Sequence, residues 1–109
     1  MPRRRRGTRP TAYRVEFARS VQAHLRVLEA RERAVVLGAI ERQLMYQPLV
    51  ETRHRKPLRP NPIAPWQLSV EDLRVFYEVG AETSGPVRIL AVGRKQGRIL
   101  KISGEEVQL

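Results

Sequence analysis

The residues of this chain that could do chemistry are almost all cationic. Arg53, His54, Arg55, Lys56 and Arg59 form one dense group, Arg94, Lys95, Arg98 and Lys101 a second, and Arg74 stands alone between apolar neighbours. Guanidinium and ammonium groups neutralise phosphate, so the pattern points to contact with a polyanion. Arginine is always protonated; it can stabilise an anionic transition state but is a poor base. Lys101 could take a proton only where neighbouring cations depress its pKa. His54 carries an imidazole, the side-chain type suited to proton transfer. With no cysteine in the chain, disulfides, thiolate metal sites and cysteine nucleophiles are excluded. Ordinary roles stand beside these. The first group also reads as a solvated loop, and the second as a charged edge that discourages strand addition.

Composition agrees with a polyanion partner. The 109 residues hold 21 Lys plus Arg against 11 Asp plus Glu, a formal charge of +10. Arg3, Arg4, Arg5, Arg6 and Arg9 supply five of the bases; 16 against 11 remain, so residues 11–109 still carry +5. Residues 1–10, basic and interrupted by Pro2, Gly7 and Pro10, are expected to form a disordered arm. Residues 11–109 are expected to form one domain, since the length excludes a multidomain enzyme. No apolar run approaches a membrane span of roughly 20 residues, and the basic start lacks the apolar stretch of a secretory signal. A cytoplasmic protein without membrane contact is the expectation.

The elements that must position these groups follow from periodicity. Residues 12–17 alternate and predict a short strand. Ser20 is placed to cap a first helix carrying Val21, Leu25 and Leu28 on one face. Arg31 to Gln47 predicts a second helix on Val36, Ile40 and Leu44, ended by Pro48; Glu29 and Arg33 are spaced as an i,i+4 pair, and Gly38 suggests close helix packing. Residues 48–65 read as a long proline-rich connection. Trp66 to Val70 and Leu73 to Val79 alternate around a reversal at Glu71–Asp72. The next turn spans Gly80 to Gly85. Val87 to Val92 is continuously apolar, as in a strand covered on both faces. Gly93 to Gly97 turns into a last strand, Arg98 to Ser103. The fold class is α+β: an N-terminal strand, a two-helix hairpin, then an antiparallel meander of three to four strands with the helices on one sheet face. His24, Tyr77 and Trp66 read as structural. Alternation sets Arg74 beside Gln67 and Ser69, opposite Leu73, Val75 and Tyr77, and puts Phe76 on the Arg74 face, free to stack on a base or to sit under an antitoxin side chain. Glu105 and Glu106 read as a solvated terminus or a shield for the basic face.

A strand and helical hairpin followed by "KPL", "PWQLSVEDLRVFYEV", "VRILAVGRKQGRI" and "GEEV" resemble the RelE/ParE superfamily of toxins from bacterial toxin–antitoxin systems. The resemblance covers roughly residues 12–109 and is strongest from Trp66 to Val79. It implies a RelE/ParE-like fold and a cognate antitoxin as partner. It further implies either ribosome-dependent, metal-independent cleavage of messenger RNA without a cofactor, or poisoning of DNA gyrase. A degenerate relative that only binds nucleic acid is a third alternative.

Carried over residue by residue, the resemblance makes Arg74, Lys95 and Lys101 the candidate catalytic residues. Arg74 matches the arginine of the family's third strand, Arg94 and Lys95 its basic pair after "VG", and Lys101 lies near a position where many relatives have a catalytic tyrosine. Gln67 and Ser69 stand where RNA-cleaving relatives carry lysines. Arg53, Arg55, Lys56, Arg59, Arg94 and Arg98 are the candidate nucleic-acid-binding residues. Metal-free cleavage of RNA needs a base for the 2′-hydroxyl, cations for the phosphorane and an acid for the leaving 5′-oxygen.

Overall fold

Alternating apolar residues fold the centre of the chain into a hairpin. In the computed structural model, which describes residues 12–80 and 85–109, β3 (Trp66–Val70) and β4 (Leu73–Val79) pair in antiparallel register, Leu68 opposite Val75 and Ser69 opposite Arg74. The reversal falls at Glu71–Asp72 as the sequence predicts, with Glu71 in the left-handed region at φ 56°. The remaining elements are β1 (Val15–Phe17), α1 (Val21–Arg26), α2 (Ala30–Leu44), β2 (Arg55–Pro57), β5 (Val87–Gln96), β6 (Ile99–Ile102) and β7 (Glu105–Val107). The sheet runs β2-β3-β4-β5-β6-β7, and β1 joins β5 in parallel. The α+β class with two helices and an antiparallel meander is thus as expected, but the sheet has more strands than the three or four predicted. The arginine-rich arm lies outside the described residues.

The helices cover one face. Val21, Leu28, Val36, Ala39, Ile40 and Leu44 bury against Leu68, Leu73, Val75, Tyr77, Val87, Ile89 and Val92. The continuous apolar run of β5 serves both faces through a bulge. Phe76 pairs with Ala91 and Tyr77 with Ile89, so Leu90 is an extra residue that reverses the alternation. Ile89 and Val92 therefore both reach the helices, while Leu90 and Ala91 join a second cluster with Ala64, Phe76 and Leu100 on the opposite face. Phe76 is fully buried there; this corrects the expectation of an aromatic free to stack on a base. Tyr77 is core as predicted. Its hydroxyl donates to the Pro48 carbonyl at 2.7 Å, burial pushes the phenol pKa up, and its ring stacks on Trp66 at 6.1 Å.

Several local expectations change for identifiable reasons. The connection over 48–65 contains β2, and its next turn is locked by Asn61, whose side-chain oxygen accepts from the Ile63 and Ala64 amides at 2.8 and 3.0 Å. That turn brings Leu58, Ile63 and Ala64 over the second cluster. β5 continues through the predicted turn at Gly93 because β6 pairs with Arg94–Gln96. Gly93 has no room for a side chain, since a Cβ would lie 2.6 Å from the Lys101 carbonyl oxygen and 2.8 Å from Ile102. Gly93→Ala is expected to lose about 1–3 kcal/mol of stability by overpacking, measured as a lowered urea midpoint. Gly38 lies under the Arg42 guanidinium of its own helix and marks no close helix packing. Ser20 makes no side-chain cap; α2 begins instead with a capping box between Glu29 and Glu32. Arg33 turns from Glu29 to the carbonyls of Leu25 and Leu28, where a cation complements the end of α1.

His24 closes a fork in the sheet. Along one edge of β5, β1 pairs with Val87–Ile89 and β6 with Arg94–Gln96. Between them the Val92 amide donates to His24 Nδ1 at 3.2 Å. This contact needs a neutral ring, and desolvation lowers the His24 pKa. The unfolded chain takes up a proton near pH 6.5, which the folded chain resists. Stability is therefore complete above that pH and falls as the pH drops through the lowered folded value. Urea midpoints at pH 7.5 and 5 are expected to differ more in the wild type than in His24→Gln, whose amide oxygen accepts at either pH.

Candidate functional site

Strand register collects the predicted cations differently from their order in the sequence. Arg74 pairs with Ser69 on one side and Gly93 on the other, so all three share the face away from the helices. Lys56 opposite Gln67, and Gln67 opposite Phe76, belong to the same face. So does Lys95, two residues beyond Gly93 and about 7–8 Å diagonally from Arg74. The loop carrying Leu58, Ile63 and Ala64 packs with Phe76, Ala91 and Leu100 on this face. Lys56 and Lys95 are exposed, and Gln67, Ser69 and Arg74 partly so. The result is an open, cationic strip of sheet.

Arg74 is held at the β3–β4 turn. Its Nη1 donates to the carbonyls of Glu71 at 2.9 Å and Leu73 at 2.8 Å, and its Nε is buried with no partner among the described residues. No carboxylate neutralises it among those residues. Alternation in the sequence places Arg74 correctly beside Gln67 and Ser69, and the structure adds the backbone carbonyls that fix its orientation.

Arg94 and Lys101 leave this group. Arg94 pairs with Leu73 on one side and Lys101 on the other, which puts both on the helix side. Arg94 bridges Glu32 of α2 and Asp72 of the turn, each at 2.8 Å. These hydrogen bonds hold the Glu32 carboxyl below its ordinary range and raise the Arg94 pKa. The candidate residues Arg94 and Lys101 therefore do not share a face with Arg74 and Lys95: a one-residue step along a strand changes the face. Arg55 is corrected as well. It faces the helices and is 6% exposed; its guanidinium donates to the Val50 carbonyl and to the carbonyl and side-chain oxygens of Gln43 at 2.7–2.8 Å. Arg53, Arg59 and Arg98 remain exposed, on the loop before β2, in the following loop and at the β5–β6 turn. Arg59 and Lys56 line a groove of about 480 Å³ with Pro57, Leu58, Pro60 and Asn61.

His54 is the residue that the sequence left without a place. Its carbonyl accepts from the Ser69 amide at 2.8 Å, which extends the β2–β3 ladder by one residue. Its own amide donates to Thr52 Oγ1 at 3.1 Å, as does that of Arg55 at 3.2 Å. Alternation with the inward Arg55 sets His54 in the row of Ser69 and Arg74. The "T-x-H" spacing, a hydroxyl two residues before the ring, is the only sequence signal of this arrangement. Among the described residues no three His, Asp or Glu side chains are grouped to hold a metal ion. No helix among them is long and apolar enough to cross a membrane.

The chain is similar to one in the crystal structure of the RelBE2 toxin–antitoxin complex from Mycobacterium tuberculosis. The two are 27% identical with a TM-score of 0.66, over 78% of this chain and all of the other. The resemblance to the RelE/ParE superfamily is thereby borne out, and the chain is RelE-like. No protein-family model and no curated protein matches it.

Proposed function

We propose that the chain is the toxin of a toxin–antitoxin pair and inhibits translation by cleaving messenger RNA on the ribosome. The observation that carries this reading is the exposed strip on one sheet face of a RelE-like fold, along which Lys56, Arg74 and Lys95 are set out. Arg74 and Lys95 stabilise the charge of the phosphorane through fixed cations, the largest contribution that such a surface makes to phosphoryl chemistry. Lys56, Arg59 and the groove beside them hold the neighbouring backbone, supplying affinity more than sequence selection. The cognate antitoxin is acidic where it meets this face, and its association weakens as salt rises. Incubation of the purified protein with translating ribosomes, followed by mapping of RNA ends, tests the reading. New ends within the coding region are the expected result; intact messenger with undiminished translation removes it.

One observation favours a toxin that poisons gyrase without chemistry of its own. The uncharged Gln67 and Ser69 occupy the strip itself, where the resemblance implies lysines for RNA cleavage, and Lys101 lies on the other face. Inhibition of supercoiling or accumulation of cleaved DNA with purified gyrase, with messenger RNA left intact, would establish this alternative.

A further inference from the structure

We propose that His54 is the proton acceptor of this site, a role that rests on the RNA-cleavage reading and that none of the family's matched positions assigns. The strip offers cations in abundance, but Arg74 cannot accept a proton, and Gln67 and Ser69 are uncharged. An imidazole exchanges protons near neutral pH, and His54 is exposed in the row of Ser69 and Arg74; His24, which borders this side of the sheet beside Ile63 and Ala91, already accepts from the Val92 amide. Two backbone contacts fix where the ring starts: the His54 carbonyl on the Ser69 amide at 2.8 Å and its amide on Thr52 Oγ1 at 3.1 Å. Ser69 in turn pairs with Arg74. His54 and Arg74 therefore flank one strand, with backbones about 10 Å apart. Both residues leave the same face of the sheet on either side of Ser69, a spacing that suits one ribose and its 3′-phosphate.

The reaction balances with the groups present. His54 takes the proton of the 2′-hydroxyl. The 2′-oxygen attacks the adjacent phosphorus as the bond to the 5′-oxygen breaks, and a 2′,3′-cyclic phosphate forms. Arg74 and Lys95 hold the non-bridging oxygens, and the departing 5′-oxygen takes a proton from the Lys56 ammonium on the same face. The charged groups around His54 are Arg53 and Lys56 on its own segment and Arg74 across Ser69. Glu51 lies earlier on the loop and Glu71 in the β3–β4 turn. β3 contributes only the uncharged Gln67 and Ser69.

The test measures messenger cleavage on ribosomes between pH 5 and 8.5 for the wild type, His54→Ala and His54→Gln, with and without added imidazole. The same proteins are titrated by NMR with an RNA bearing a 2′-deoxy nucleotide at the cleavage position. The ring is exposed, so both variants should melt with the wild type. The expected result is a loss of about 100-fold or more in rate for both variants. The acidic limb of the wild-type profile should disappear with the ring, and imidazole should partly restore the rate of His54→Ala. The uncleavable RNA should shift the His54 ring signals. Wild-type rates in His54→Ala overturn the assignment, as does a loss that is equal at every pH and insensitive to imidazole. A wild-type protein that cleaves nothing overturns the RNA-cleavage reading and this inference together, whereas cleavage surviving in His54→Ala overturns the inference alone.

Discussion

Arg74→Ala is expected to abolish toxicity while the protein folds and melts as the wild type does. Under the RNA-cleavage reading, the rate on ribosomes should fall by about 100-fold or more, the usual cost of losing a fixed donor aimed at developing charge. The side chain projects from the face opposite Leu73, Val75 and Tyr77, so truncation opens no cavity among them. It frees the Glu71 and Leu73 carbonyls to water at the turn and removes a buried, unpartnered Nε. Stability should therefore move by less than about 1 kcal/mol. Arg74→Lys should recover little, because an ammonium cannot hold both carbonyls and still present a planar donor. Growth after induction and circular-dichroism melting separate the two quantities. Full toxicity of a folded Arg74→Ala protein would show that the strip does not act through this cation.

The second large effect is on stability. Arg55→Ala should cost about 3 kcal/mol, near the value for breaking buried charged contacts. The side chain is 6% exposed and joins three parts of the chain: the end of α2 through Gln43, the following loop through Val50, and the start of β2. A cation at the C-terminal end of α2 also complements the helix dipole. Its removal strands the Gln43 and Val50 carbonyls and leaves a cavity. At about 4–8 °C per kcal/mol for a domain of this size, the melting temperature should fall by more than 10 °C. Arg55→Lys should recover only part of this, since one ammonium does not reach the same set of acceptors with the same geometry. An unchanged melting temperature would show that the loop reaches its place without the guanidinium.

Arg55 and Arg74 also show what the sequence can and cannot disclose. Alternation in "WQLSVEDLRVFYEV" is enough to pair β3 with β4 and to set Arg74 apart from the apolar set, because a period of two is visible wherever one face is buried. It fails for Phe76, since the bulge at Leu90 and the cover of Leu58, Ile63 and Ala64 give both sheet faces a core. It fails for Arg55, where a residue type that is nearly always solvated is paired by backbone carbonyls, which leave no trace in residue identity. Arg94 and Lys101 are cations like Arg74 and Lys95; only the register, fixed by the continuation of β5 past Gly93, separates them. His54 needed the one-residue extension of the β2–β3 ladder, beyond the resolution of any composition argument.

The pairing of β1 with β5 fixes the order in which the molecule can be completed. Val15 meets Val87, 72 positions later, whereas β3, β4 and β5 follow one another with short reversals between β3 and β4. Closing a long segment costs chain entropy before any contact repays it, so local hairpins form ahead of distant parallel pairs. During synthesis from the N-terminus, β1 and both helices emerge while the strand they need is still unmade. The meander must supply β5 before β1 can dock and before the Val92 amide can find His24. The first strand to leave the ribosome is thus among the last to be paired, and a chain interrupted before residue 87 holds the helices without the sheet edge that seats them.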